Sequence, residues 1–165
     1  MSEWEILPML REHYPAVAAI HQEGIDTGNA TFQEKTLTLD EWNQKYLNIC
    51  RLVVVLNGQV VGWAALLPFS SMNAYRGVAE LSIYIAKSAR GKGIGKALMQ
   101  EIIQTSEDNG FWTLQSLIFP ENTASIVLHH TFGFQTLCIH KKLGEMNGTF
   151  RDVALLERRS KRNGE

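Results

Sequence analysis

Apolar positions recur along the chain in two rhythms, and the change from one to the other predicts its elements. Between Pro15 and Ile25, the residues Val17, Ala18, Ile20 and Ile25 fall among polar ones at helical spacing, behind a proline suited to a helix's first turn. A loop is expected over Asn29–Phe32, then a second helix with Asp40 as N-cap, running through Glu41, Trp42, Tyr46 and Leu47. The rhythm then changes. Leu52–Leu56 and Val60–Leu67 are continuous apolar runs joined by Asn57-Gly58, a pair that takes the positive φ angles of a tight turn, so an antiparallel hairpin is expected. The polar stretch Pro68–Gly77 predicts a loop and Ala79–Ala86 a strand. Ile94, Ala97, Leu98, Ile102 and Ile103 share one face of a helix over 94–109 that Gly110 closes. A strand at Phe111–Phe119, a helix at Asn122–Phe132 ended by Gly133, and strands at Phe134–His140 and Phe150–Leu156 complete the pattern. The order α-α-β-β-β-α-β-α-β-β, with no repeat or low-complexity linker, predicts an α/β fold with one mixed sheet flanked by helices. The basic segment Arg158–Arg162 is expected to fray, making 158–165 a loose tail.

A chain of 165 residues can bury one proper core, so a single domain over 1–165 is expected. With 16 Lys+Arg against 17 Asp+Glu, bulk charge favours neither nucleic acid nor an anionic membrane, and any anion site must be local. Cys50 and Cys138 lack the spacing of a disulfide framework or a zinc site and read as buried small hydrophobes; no metal is expected. The acidic start MSEWEILPML lacks the basic leader and long apolar core of a signal peptide, and no apolar run approaches the roughly 20 residues of a membrane span. A reducing cytoplasm fits these features.

Local anion chemistry concentrates in Arg90-Gly91-Lys92-Gly93-Ile94-Gly95-Lys96, between a predicted strand and a predicted helix. Glycines let backbone N–H groups face an anion, and the helix start adds about half a positive charge, so the stretch reads as a pyrophosphate cradle. The dinucleotide fingerprint fails because Lys96 stands three residues after Gly93, and the Walker pattern fails too. A glycine-rich turn that merely caps a surface helix would share the same spacing.

Arg90, Gly93 and Gly95 match the signature [RQ]-x-x-G-x-[GA], and here the chain resembles the GNAT acyltransferases, which bind the pyrophosphate of acetyl-CoA with it. Further blocks, Ala30-Thr31-Phe32, Asn73-Ala74-Tyr75, Glu80 to Ile85, Asn122 to Ile126 and Leu128-His129, resemble the phosphinothricin and methionine sulfoximine N-acetyltransferases in order along most of the chain. The resemblance implies a mostly antiparallel mixed sheet, acetyl-CoA as cosubstrate, a small-molecule amine as acceptor and a homodimer. It implies that Ile83, Tyr84 and Ile85 contact the pantetheine arm, that Asn122 and Ser125 hold it from the opposite helix, and that Phe32, Tyr75 and Glu80 line the acceptor site. Only a neutral amine attacks a thioester, so the site needs a proton acceptor, and Glu80 matches the acidic residue that the resemblance offers. His129 is the candidate donor to the departing CoA thiolate, with a packed helix histidine as the alternative.

Two departures bear on the acceptor. Met72 stands where the amino-acid-acetylating relatives carry an arginine, leaving Arg76 in the same loop as the candidate replacement. Met146-Asn147-Gly148-Thr149-Phe150 stands where those relatives have K-x-G-R-W. An acetyl-CoA-binding regulatory module without turnover and a protein N-acetyltransferase are the competing classes; the full loop and Glu80 speak against the first.

Overall fold

The computed structural model describes residues 3–165. Within them, seven strands form one sheet: β1 (Trp4–Pro8), β2 (Leu52–Leu56), β3 (Gln59–Pro68), β4 (Val78–Ile85), β5 (Thr113–Ile118), β6 (Gln135–Met146) and β7 (Thr149–Arg159). Their spatial order is β1-β2-β3-β4-β5-β7-β6, antiparallel throughout except where β4 runs parallel to β5. Four α-helices accompany the sheet: α1 (Tyr14–Asp26), α2 (Leu39–Lys45), α3 (Ile94–Asp108) and α4 (Thr123–Thr131). The expected mixed α/β architecture is what the chain adopts.

Alternation along β3 and β4 divides the core in two. Trp63, Ala65 and Leu67 pair with Tyr84, Ser82 and Glu80 on the face where Trp63 meets α1 and α2, packing edge-on against His21 and Trp42. Gly62 and Ala64 pair with Ile85 and Ile83 on the other face, under α3, whose Ile94, Leu98, Met99 and Ile102 are buried as the helical period predicts. The β2–β3 hairpin turns at Asn57 (φ 52°) and Gly58 (φ 79°), the left-handed pair expected of Asn-Gly.

Several boundaries differ from the sequence reading. The helix expected with Asp40 as N-cap starts two residues earlier, because Thr38 accepts from Glu41 N while the Glu41 carboxylate accepts from Thr38 N, a reciprocal cap visible as T-x-x-E. Strand β1 escaped notice because it is short, carries two glutamates nearby and ends on Pro8, yet it pairs with all of β2 at the sheet edge. The tail does not fray from Arg158. Arg158 and Arg159 pair with Leu114 and Thr113, Ser160 is buried, and Asn163 donates to Glu107 O and Phe111 O. Cys50 is buried, but Cys138 lies exposed on the outermost strand, against expectation.

His21 is 2% exposed between the rings of Trp63 and Tyr84. Burial, helped by the nearby charge of Lys45, pushes its pKa down from 6.5 to about 4. The unfolded chain therefore binds this proton more tightly than the fold does, and stability is lost as pH falls from about 6.5 towards 4. Burial lowers His129 as well, in the same direction. Urea unfolding near pH 7 and near pH 4.5 is expected to show the wild type losing about 2–3 kcal/mol more than a His21→Gln variant loses over the same interval. Parallel losses in the two proteins would remove His21 from the account.

Candidate active site

Strands β4 and β5 keep parallel register over three pairs, Val78–Thr113, Ala79–Leu114 and Glu80–Gln115. Beyond that rung they part. The remainder of β4, Leu81 to Ile85, keeps its pairing with β3 but has no partner on its β5 side, so backbone N–H and C=O groups face a gap. A cavity of about 1090 Å³ opens there, bounded by β4, β5, the start of α3 and the start of α4.

At the end of β4 the chain passes Arg90 and turns twice through left-handed glycines, Gly91 (φ 77°) and Gly93 (φ 81°), into α3. Gly93 is the N-cap and has no side chain to cap the helix, so the first-turn N–H groups of Ile94, Gly95 and Lys96 remain available to an anion. A Cβ on Gly95 would make ordinary contact, 3.7 Å, with both Ile85 and Leu128. Arg90, Gly91, Gly93, Ile94 and Gly95 lie on the cavity wall.

The opposite end of β4 is acidic and aromatic. Glu80 lines the cavity, and burial raises its carboxyl above the usual range, partly opposed by Lys45. Two residues on, on the same face, Ser82 Oγ accepts a 3.1 Å hydrogen bond from the Tyr46 hydroxyl, whose pKa burial pushes up to about 12. Further along the same face, towards the cradle, Tyr84 stacks on Trp63 at 5.0 Å; beside the cavity Phe32 stands edge-on to Phe119 at 4.8 Å. Phe32 sits where a Cβ on Gly144 would have to be, 2.4 Å from its Cζ, so the bulged β6 closes this wall through a residue without a side chain.

Helix α4 forms the far wall. Asn122 caps it, its side-chain oxygen accepting from Ser125 N at 3.3 Å. Asn122→Ala is expected to cost about 1 kcal/mol in urea unfolding, with Asn122→Asp restoring the cap; an unchanged alanine variant would contradict this assignment. His129 is 2% exposed, and its Nδ1 lies 2.7 Å from Ser125 O. A carbonyl only accepts, so Nδ1 carries the hydrogen, and Nε2 accepts from the Ser116 hydroxyl at 2.9 Å. Burial holds the ring neutral. In this state it has no N–H left for a thiolate, which is the geometry of the packed histidine.

Most of the residues singled out in the sequence thus converge on one cavity, which also takes in Ile83, Ile85 and Ser125. Four do not line it. Lys92 and Lys96 are exposed beside the cradle, Tyr75 packs on Phe69, and Arg76 donates to Asn73 O at 3.0 Å and lies over the Trp112 ring. Sequence reasoning missed Lys45, Tyr46, Ser82 and Ser116. Ser82 was legible as the next residue on the Glu80 face, whereas the others come from α2, the segment after it, and β5, which only the tertiary fold brings to β4.

Residues 15–134 match the acetyltransferase (GNAT) family model, and the chain belongs to that family. It is an N-acetyltransferase, with acetyl-CoA as its cosubstrate. It is 30% identical to the phosphinothricin N-acetyltransferase of Alcaligenes faecalis, over 87% of this chain and 76% of that one. It is 26% identical to the L-methionine sulfoximine/L-methionine sulfone acetyltransferase of Pseudomonas aeruginosa, over 87% of each chain. A solved phosphinothricin acetyltransferase from Sinorhizobium meliloti, in complex with acetyl-CoA, superposes with a TM-score of 0.86 at 29% identity, covering 96% of this chain and 89% of that one.

Proposed function

We propose that the protein acetylates the amine of a small molecule, an amino acid or amino-acid analogue of the phosphinothricin or methionine sulfoximine type. The observation that carries this reading is the parting of β4 from β5 just past Glu80, which joins an anion cradle and a half-buried carboxylate through one cavity. The pyrophosphate sits on the N–H groups after Gly93, flanked by Arg90, Lys92 and Lys96. The pantetheine arm adds to the open edge of β4 at Ile83, Tyr84 and Ile85, as an extra strand would, with Asn122 and Ser125 behind it. Glu80 lies roughly 16 Å from Ile85 along the strand, which sets the acceptor at the other end of the arm.

The amine loses its ammonium proton to Glu80, directly or through water, and its lone pair attacks the thioester carbon. A backbone N–H on the open edge of β4 stabilises the tetrahedral oxyanion. The C–S bond breaks as the amide forms, the second proton on the attacking nitrogen passes through water to the departing thiolate, and CoA leaves as thiol. His129, neutral and bonded at both nitrogens, acts by fixing Ser116 and the first turns of α4 and does not protonate the thiolate itself.

Two attributes belong to the same reading. The protein forms a homodimer through the sheet edge at β6, where Leu137, Ile139 and Leu143 stand exposed. It works in the reducing cytoplasm, which suits two free cysteines; no helix among the described residues is long and apolar enough to cross a membrane. Incubating the enzyme with acetyl-CoA and a panel of free amino acids with sulfone, sulfoximine and phosphinic analogues is expected to release CoA thiol with some of them. Release with none, but with peptide N-termini, would replace this reading by the protein-acetylating one.

A further inference from the structure

Resting on the small-amine reading, we propose that Lys45 binds the anionic end of the acceptor, so that Lys45 and Glu80 together select a zwitterion whose amine and acid groups lie close to each other. Two lysine or arginine side chains line the cavity among the described residues, Arg90 and Lys45. Arg90 precedes the cradle. Lys45 stands at the other end, because the segment that follows it is pinned across the sheet: Tyr46 donates to Ser82 Oγ at 3.1 Å and Leu47 N donates to Leu66 O at 2.8 Å. The next residue of β3, Leu67, is the register partner of Glu80.

Both charges remain available to a ligand. Lys45 and Glu80 make no ion pair within 4.0 Å among the described residues, although the lysine's charge is felt at the carboxyl. The Lys45 ammonium has three donors; it makes one long hydrogen bond, 3.4 Å to Gln33 Oε1, and lies 5.7 Å from the centroid of the Tyr46 ring. The neighbouring arginines are engaged elsewhere. Arg76 holds Asn73 O outside the cavity, and Arg151 donates to Gly28 O, Asn29 Oδ1 and Glu121 while lying over Phe119. An α-amino acid carries its amine and its carboxylate on one carbon. It can place the first against Glu80 and the second against Lys45, matching sign for sign, whereas a simple amine leaves Lys45 without an anion.

Steady-state kinetics of Lys45→Met and Lys45→Arg, with an amino-acid acceptor and with its decarboxylated amine, test this. Lys45→Met is expected to raise KM for the amino acid by about 10-fold or more, with the amine unchanged or improved and KM for acetyl-CoA unchanged. Lys45→Arg should recover part of the loss. An equal effect on both acceptors, or none on either, overturns the role of Lys45 while leaving acetyl transfer standing. A wild-type enzyme that binds acetyl-CoA yet acetylates neither acceptor class overturns the small-amine reading, and this inference with it.

Discussion

Replacing Glu80 by glutamine is expected to lower kcat by about 10²-fold or more, with acetyl-CoA binding retained. Glutamine keeps the shape of the side chain on the face shared with Ser82 and Tyr84 but cannot accept a proton at neutral pH. The pH dependence follows from burial, which raises the carboxyl above its ordinary value against the opposing charge of Lys45. The ionised, base-competent form exists above that raised pKa, so kcat/KM of the wild type falls as pH drops through it, and the variant loses this acidic limb. Stability runs the other way. A carboxyl with a raised folded pKa costs stability above that pKa, and the cost is relieved as pH falls, so the glutamine variant is not expected to unfold more easily at pH 7. Initial rates against pH with both proteins are the measurement. Turnover within threefold of wild type, with an unshifted limb, would move the base elsewhere.

Gly93→Asp is expected to weaken acetyl-CoA binding by about 100-fold or more, at a cost of about 1 kcal/mol in stability from the left-handed backbone. Gly93 has φ 81°, a left-handed conformation that aspartate tolerates better than most residues, and nothing lies within 4 Å of the position a Cβ would take. At a helix start, an aspartate also complements the helix dipole, which offsets part of the left-handed strain, so α3 still forms. The first-turn amides form the proposed pyrophosphate site, and the new carboxylate repels the incoming anion. Gly93→Asn separates strain from charge, since it adds a side chain without charge and should lose less affinity. Calorimetry on a folded Gly93→Asp variant that showed unchanged affinity would sink the cradle.

Much of this molecule could be read from local patterns because local physics decides them. The period of Ile94, Leu98 and Ile102 names the buried face of α3, Asn57-Gly58 sets a hairpin, and the glycines after Arg90 open a helix start to an anion. Local signals were also present and passed over. Thr38-x-x-Glu41 marks the true start of α2, and Asn147-Gly148 turns β6 into β7, a hairpin hidden because a register shift between His140 and Gly144 breaks the alternation of the strand before it. What the chain alone could not yield is whatever depends on distant segments meeting. A basic residue in a loop looks the same whether it faces a ligand or a tryptophan, so Arg76 stands as the candidate replacement for the relatives' arginine until the fold sets it over Trp112, 36 positions along the chain. In the same way His129 reads equally as donor or core residue until Ser116 and Ser125 occupy its nitrogens, and Lys45 reads as a helix-end charge until Tyr46 and Leu47 pin it beside Glu80. Sequence by itself determined the fold class and nominated the cradle and the proton acceptor, since each is written in contiguous residues. Tertiary structure decided which charges face the cavity, because burial and hydrogen-bond partners come from parts of the chain that only folding brings together.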